Sequence, residues 1–255
     1  MEFIDTHSHM YDEAFAGEED LAMQRAIEAG VTKIIFPDID SQSREAMFSL
    51  ADRYSSNIFP CLGLHPTSVD AGWKTEMDLM EKHLDRRIWA IGEIGIDCYW
   101  SREFLEQQKE VFRIQLELAS QRNLPVIIHS RESTELIIKI LKECSHLGVR
   151  GVFHAYSGSI ETYREIQRLG EWHIGIGGVL TYKKASIAET VKEIPLEKII
   201  LETDSPYLTP VPFRGKRNES SYIPHIARKL AELTGRDVEE IAETTTCNAQ
   251  KLFKL

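Results

Sequence analysis

The sequence predicts an α/β fold, a (β/α)8 TIM barrel with extra helices at its C-terminal end. Three observations carry this. Short apolar runs alternate with amphipathic helical patterns eight times along 255 residues, a common length for one barrel of this kind. The runs are brief and rich in β-branched residues, as suits parallel strands buried on both faces. Residues of metal-ligand type recur where the runs end, the position at which this architecture gathers its functional groups. The same alternation also fits an open doubly wound sheet, the competing architecture. No internal repeat, linker or low-complexity stretch divides the chain, so residues 1–255 are expected to form one domain.

The first strand candidate, Phe3–Asp5, begins almost at once. A helical pattern through Leu21, Ala22, Ala26 and Ile27 stops at Gly30, a residue suited to a helix C-terminus. Lys33–Phe36, Phe59–Leu64 and Trp89–Ile94 are the second, third and fourth strands. The longest helix runs from Phe104 to Arg122, with Phe112, Leu116 and Ala119 on one stripe. Val126–His129 is the fifth strand, after which Ser133 opens a helix as an N-cap-like residue. Gly151–His154, a helix over Thr162–Leu169, His173–Ile176, a helix over Ile187–Ile194 and Ile199–Glu202 complete the eight. Two further helices follow, Ile223–Leu233 and Val238–Phe253, separated by Gly235-Arg236. Connections between parallel strands are expected to be right-handed.

Composition narrows the function classes. An apolar fraction of 42% is ample for a core. Thirty Lys and Arg against 40 Asp and Glu leave a net charge of −10, which argues against tight non-specific duplex binding by phosphate neutralisation. A polyanion would have to be held locally, by metals or a small basic patch. Cys61, Cys98, Cys144 and Cys247 form no CxxC and suit a reducing compartment better than a disulfide framework. There is no basic leader and no apolar run of about 18 residues. The expectation is a soluble cytoplasmic protein, with no membrane association and no obligate protein partner evident.

Six residues stand at strand ends: His7 and His9, Glu93, His129, His154 and Asp204. A barrel would bring four imidazoles and two carboxylates to one face, enough for one or two divalent cations. Residues two apart at a strand end point the same way, so His7 and His9 can reach one ion. Asp5 shares that orientation and could orient an imidazole. Asp204 follows the last strand, which neighbours the first in a closed barrel.

Seven stretches carry a resemblance. They are Asp5-Thr6-His7-Ser8-His9, Gly63-Leu64-His65-Pro66, Gly92-Glu93-Ile94-Gly95-Ile96-Asp97 and Pro125-Val126-Ile127-Ile128-His129-Ser130-Arg131. Phe153-His154-Ala155-Tyr156-Ser157-Gly158, Leu201-Glu202-Thr203-Asp204-Ser205-Pro206 and Arg214-Gly215-Lys216-Arg217-Asn218 complete the set. On these the chain resembles the TatD-family metal-dependent deoxyribonucleases of the amidohydrolase superfamily. It departs at Met10, where Leu is usual, and at Ala155-Tyr156, where Cys-Phe is common; neither removes a ligand.

The resemblance implies two divalent metal ions, with Mg, Mn and Zn as candidates. His7, His9, Glu93 and Asp204 would hold one, and Glu93, His129 and His154 the other, with Glu93 bridging and Asp204 as general base. Glu93 occupies a position where some superfamily relatives carry a modified lysine. DNA would be the substrate, cut at phosphodiester bonds, with 3′-to-5′ exonuclease action on single strands as the family expectation.

Around this set the residues leave alternatives open. His65 would bind a substrate phosphate or hydrogen-bond near the metals, or else pack against Pro66. Arg131 would face substrate or form a surface ion pair. Asp97, placed in a loop, would act behind the metals or shape a turn. Glu202 is expected to contact a metal-bound histidine. Arg214 and Lys216, in the one dense basic stretch, would grip a backbone phosphate or lie in a solvated loop. Trp73 and Trp100, placed in loops, could stack on a base, although packing beneath a loop is the expected role. His83, His146 and His173 look structural or solvent-exposed. Two other functions compete: a dinuclear hydrolase of a small ester, lactone or amide, and a non-catalytic scaffold.

Overall fold

All eight expected strands form: β1 (Phe3–Asp5), β2 (Val31–Phe36), β3 (Ile58–Pro60), β4 (Ile91–Asp97), β5 (Val126–Arg131), β6 (Gly151–Phe153), β7 (Trp172–Ile176) and β8 (Ile199–Leu201). They are seen in a computed structural model that describes residues 1–255. Every pairing is parallel, in two arcs, β1-β2-β3 and β4-β5-β6-β7-β8. Single bridges join the arcs at both seams, Leu62 to Ile91 and Ser8 to Ser205. There Gly92 donates its N–H to the Leu62 carbonyl at 2.8 Å, and His9 donates to the Ser205 carbonyl at 2.8 Å. The sheet therefore closes, which excludes the open doubly wound alternative.

Nine helices accompany the strands: α1 (Glu19–Glu28), α2 (Ser41–Arg53), α3 (Trp73–Glu81), α4 (Leu105–Arg122), α5 (Thr134–Glu143), α6 (Ile160–Gln167), α7 (Ile187–Thr190), α8 (Ile223–Thr234) and α9 (Val238–Phe253). Three details correct the sequence reading. Trp73 is not a loop residue; it starts α3 and is buried on the same face as Met77 and Met80. α7 is one turn rather than two, because Val191–Glu193 tightens into a 3₁₀ turn and Pro195 disfavours helical backbone just before it. Ser133 makes no cap on α5; its hydroxyl donates to the Ile96 carbonyl at 2.5 Å and ties α5 to β4.

The core has two layers. Between strands and helices lies one continuous apolar cluster of 57 buried residues. Inside the barrel, Ile4, Ile35, Phe59, Ile127, Val152 and Ile200 fill the lumen, and Leu252 and Phe253 of α9 plug its lower end. The last helix is thus part of the core, and truncating Phe253 to Ala would cost about 3–5 kcal/mol. With its floor packed, the barrel is open to chemistry only at the end where the strands finish. No helix is long and apolar enough to cross a membrane.

Candidate metal centre

Strand periodicity aims three side chains into the mouth. His129, His154 and Glu202 each lie two residues beyond a lumen residue, Ile127, Val152 and Ile200, and alternation turns them inward as well. Glu93 needs a different device. Ile91 pairs with Val126 but Ile94 with Ile128, so β4 holds one extra residue between them. A bulge of this kind re-aims a side chain, and here it brings Glu93 among the imidazoles.

Two groups of donor atoms meet on Glu93. On one side, His7 Nε2 lies 3.0 Å and His9 Nε2 3.7 Å from Glu93 Oε2. The two Nε2 atoms are 3.1 Å apart, and each stands 3.7 Å from Asp204 Oδ1. On the other side, Glu93 Oε1 lies 2.9 Å from His129 Nδ1, 3.5 Å from His65 Nε2 and 3.7 Å from His154 Nε2. His154 Nε2 also stands 3.9 Å from Asp204 Oδ1. Donor atoms about 2.1 Å from one cation stand roughly 3.0–3.5 Å apart; His7, His9 and Asp204 form one cluster near that spacing and His65, Glu93 and His129 another, while His154 groups with His7 and Glu202. The six strand-end residues singled out above converge here, and His65 joins them.

Electrostatics favour positive charge at this point. Burial pushes His7 well below its ordinary value and His9 down to about 4, so both keep their lone pairs. Burial opposes the charge on Glu93, but the surrounding histidines, His7 and His154 foremost, hold its carboxyl well below the usual range. Burial raises Asp204 to about 7, with Glu93 adding to the rise and His154 opposing it. Burial also works against protonating His129 and His154. Asp97 and Glu93 overrule it at His129, raised to about 9, and Glu202 and Glu93 do so at His154, raised to about 10. Asp204 itself has φ +58°, a left-handed conformation rare outside glycine. Its N–H donates to the His7 carbonyl at 2.8 Å, and its carbonyl accepts from Tyr207 at 2.8 Å.

A second ring of contacts orients the imidazoles. Asp97 ends β4 rather than lying in a loop, and its Oδ2 meets His129 Nε2 at 2.9 Å. Glu202 Oε1 lies 3.1 Å from His154 Nδ1, an ionic approach without hydrogen-bond alignment, and accepts the Ala155 N–H. His9 Nδ1 meets the Tyr11 hydroxyl at 2.8 Å, and that hydroxyl donates to the Pro37 carbonyl. Asp5 orients no imidazole. Its Oδ1 accepts the N–H groups of His7 and Thr203 and its Oδ2 the Thr203 hydroxyl, so it splices the end of β1 to the end of β8. Asp38, paired with buried Arg44 at 2.8 Å, brackets Glu93 through its backbone. Its N–H donates to Gly92 and its carbonyl accepts from Glu93. Sequence reasoning missed Tyr11 and Asp38, though the signals were there: Tyr11 is two residues past His9, and Asp38 follows the second strand.

The rim residues divide. His65 Nδ1 meets the Thr67 hydroxyl at 2.6 Å and the Thr67 N–H at 3.1 Å, and its Nε2 faces His129 at 3.2 Å and Glu93 at 3.5 Å. With Glu93 and His129 it forms a set of donor atoms that could hold a cation. Arg131 forms no ion pair; its guanidinium lies 3.7 Å over the Tyr99 ring. Arg214 stacks on Tyr182 at 3.9 Å, and Lys216 lies 6.0 Å from the Phe213 ring, neither with a carboxylate partner. Arg217 is committed elsewhere, to Glu18 at 2.6 Å and the Ala14 carbonyl. His83 stacks on Phe48 and meets Glu45 at 3.1 Å.

Comparison with known proteins identifies the family and the fold. The family model described as TatD related DNase matches residues 4–254. An uncharacterized metal-dependent hydrolase of Bacillus subtilis, YabD, is 40% identical over 256 residues, covering 99% of this chain and 99% of its own. The crystal structure of the Escherichia coli TatD homologue YjjV superposes with a TM-score of 0.92 at 32% identity, over 99% of this chain and 98% of that one. A TatD family hydrolase from Entamoeba histolytica superposes at 0.83 and 25% identity, over 99% and 98%.

Proposed function

Because the chain belongs to the TatD-related DNase family of metal-dependent hydrolases, we propose that it hydrolyses DNA phosphodiester bonds at a pair of divalent cations gathered on Glu93. The observation that carries this reading is the Glu93 carboxylate, with Oε2 facing His7 and His9 and Oε1 facing His129 and His154. Buried clusters of this composition have no packing value and cost free energy unless a cation satisfies them. Mixed imidazole and carboxylate donors accept Mg, Mn or Zn.

When bound, such a pair supplies Lewis acidity, easing deprotonation of a water and offsetting charge on the phosphoryl oxygens. The chain's own groups do the rest. Asp204, whose Oδ1 lies 3.7 Å from both His7 and His9 Nε2, is placed to accept that proton. Asp97 and Glu202 fix the rings of His129 and His154 from behind. His65 Nε2 lies 3.5 Å from Glu93 Oε1, and when it carries the ring proton it would donate to a phosphate oxygen there. Arg131, Arg214 and Lys216, free of carboxylates, offer positive charge to neighbouring phosphates and hold a polyanion on a chain of net charge −10.

The test is cleavage of labelled single-stranded and duplex DNA with Mg²⁺ and with Mn²⁺, beside Asp204→Asn. Cleavage by wild type and its loss in the variant are expected. Turnover of a carboxyl ester or lactone without any DNA cleavage would replace the nuclease reading with the small-substrate one. Inertness towards every substrate and metal would favour the scaffold.

A further inference from the structure

The mouth carries apolar surface that the metal centre does not use. Of eight large hydrophobic side chains left exposed, five lie on two loops there: Tyr99 and Trp100 after β4, and Tyr207, Leu208 and Val211 after β8. Trp100 is 70% exposed and Tyr99 50%, so Trp100 does not pack beneath a loop, the role expected of it. Trp73 and Trp172 are buried and Trp89 partly so, which leaves Trp100 as the one indole open to solvent.

These rings are held in place. They meet edge to face, with centroids 5.0 Å apart at 82°. The Arg131 guanidinium lies 3.7 Å from the Tyr99 centroid and 5.3 Å from that of Trp100. Asp97 Oδ1 accepts the backbone N–H of Tyr99 at 2.9 Å and of Trp100 at 3.1 Å, while its Oδ2 holds His129 at 2.9 Å. One carboxylate thus fixes the aromatic loop and the imidazole beside Glu93 in a common frame.

We propose that Trp100, with Tyr99 and Arg131, is a stacking platform for an unpaired nucleobase of the strand whose phosphodiester lies over Glu93, an inference that rests on the nuclease reading. An indole face beside a guanidinium matches both halves of a nucleotide, the base on the ring and the phosphate on the cation. Within a duplex each base has both faces covered by its neighbours, so the platform takes only an unstacked one. It reads no base edge and therefore accepts any base, purines more firmly through their larger face. A net charge of −10 gives little long-range attraction for a strand, so a short-range aromatic contact is well placed to hold it.

The test is a double-mutant cycle on binding, in the Asp204→Asn background with Mn²⁺ so that the strand survives. A labelled deoxyadenylate octamer and an abasic strand of equal length are titrated against Trp100 and Trp100→Ala proteins. Each single change weakens binding by about 5- to 100-fold, and the two together by no more than either alone; Trp100→Phe restores most of the affinity. Separately, dAMP quenches indole fluorescence, deoxyribose 5-phosphate does not, and the quench is absent in Trp100→Phe. Additive penalties, or a quench that survives Trp100→Phe, overturn the platform. A quench and a non-additive cycle in a protein that cuts no DNA would keep the platform and remove the nuclease reading. DNA cleavage with additive penalties would do the reverse.

Discussion

Replacing Asp97 by Asn changes one atom and tests how His129 is prepared. Asp97 makes three contacts with two oxygens: Oδ1 accepts the N–H groups of Tyr99 and Trp100 at 2.9 and 3.1 Å, and Oδ2 meets His129 Nε2 at 2.9 Å. The carboxylate keeps the proton on Nε2 and leaves Nδ1, 2.9 Å from Glu93 Oε1, as the atom that would release its proton to solvent when a cation binds its lone pair. Asn has one acceptor and one donor. If its oxygen stays on the two amides, its NH2 faces Nε2, which must then accept, and the imidazole proton moves to Nδ1, the side where a ligand is needed. If it flips, the NH2 collides with two N–H donors. Each arrangement inverts at least one buried contact, at about 1–3 kcal/mol, which matches the about 10- to 100-fold loss typical of a removed ligand-orienting group. Calorimetric titration of metal-stripped protein with Mn²⁺ should show one binding step weakened by that factor and the step at His7 and His9 within about twofold of wild type. Two unchanged steps, or two equally weakened ones in a protein of native circular dichroism, would refute the reasoning.

Other perturbations test the remaining parts. A Cβ at Gly175 would stand 2.1 Å from Glu202 Oε2 and 2.6 Å from its carboxyl carbon, so Gly175→Ala should mimic Glu202→Gln in activity, and the double variant should lose no more than either alone. Arg214→Ala and Lys216→Ala should each flatten the dependence of log affinity for single-stranded DNA on log salt by about 0.7. Arg217→Ala, which breaks the pair with Glu18, should leave that slope alone and cost at most about 1 kcal/mol of stability. Burial holds His173 down at about 4, with Lys198 adding to the effect. Folding therefore keeps this ring neutral while the unfolded chain takes up a proton as pH falls below about 6.5, so its stabilising contribution is full above that value and is lost on the way to 4. Urea unfolding should lose about 2 kcal/mol between pH 8 and 5 from this group, and His173→Gln should remove that component.

How much was legible follows from which physical rule placed each residue. Strand number and order came from apolar runs and closed as expected, because buried parallel strands advertise themselves in composition. His129, His154 and Glu202 were legible for the same reason: each sits two residues past a lumen aliphatic, and period-2 alternation does the rest. Glu93 was found by its strand-end position, but the bulge that turns it inward leaves no apolar signature. Asp5 was misassigned because alternation fails after β1, where its carboxylate goes to backbone N–H groups of β8 that no local pattern reveals. Trp73 and Trp100 looked alike in sequence, yet one opens a helix with Met77 and Met80 and the other stands in solvent. α3 follows a Gly72 with no side-chain cap, so its start carries little signal in the sequence.

The claim at the centre of the account is that Glu93 is shared by two cations. Anomalous diffraction from crystals equilibrated with Mn²⁺ addresses it directly. The account predicts two peaks about 3.5–4 Å apart, one among His7, His9 and Asp204 and the other beside His129 and His154, with Glu93 between them. A single peak in wild-type protein, or two peaks with Glu93 touching only one, would contradict it.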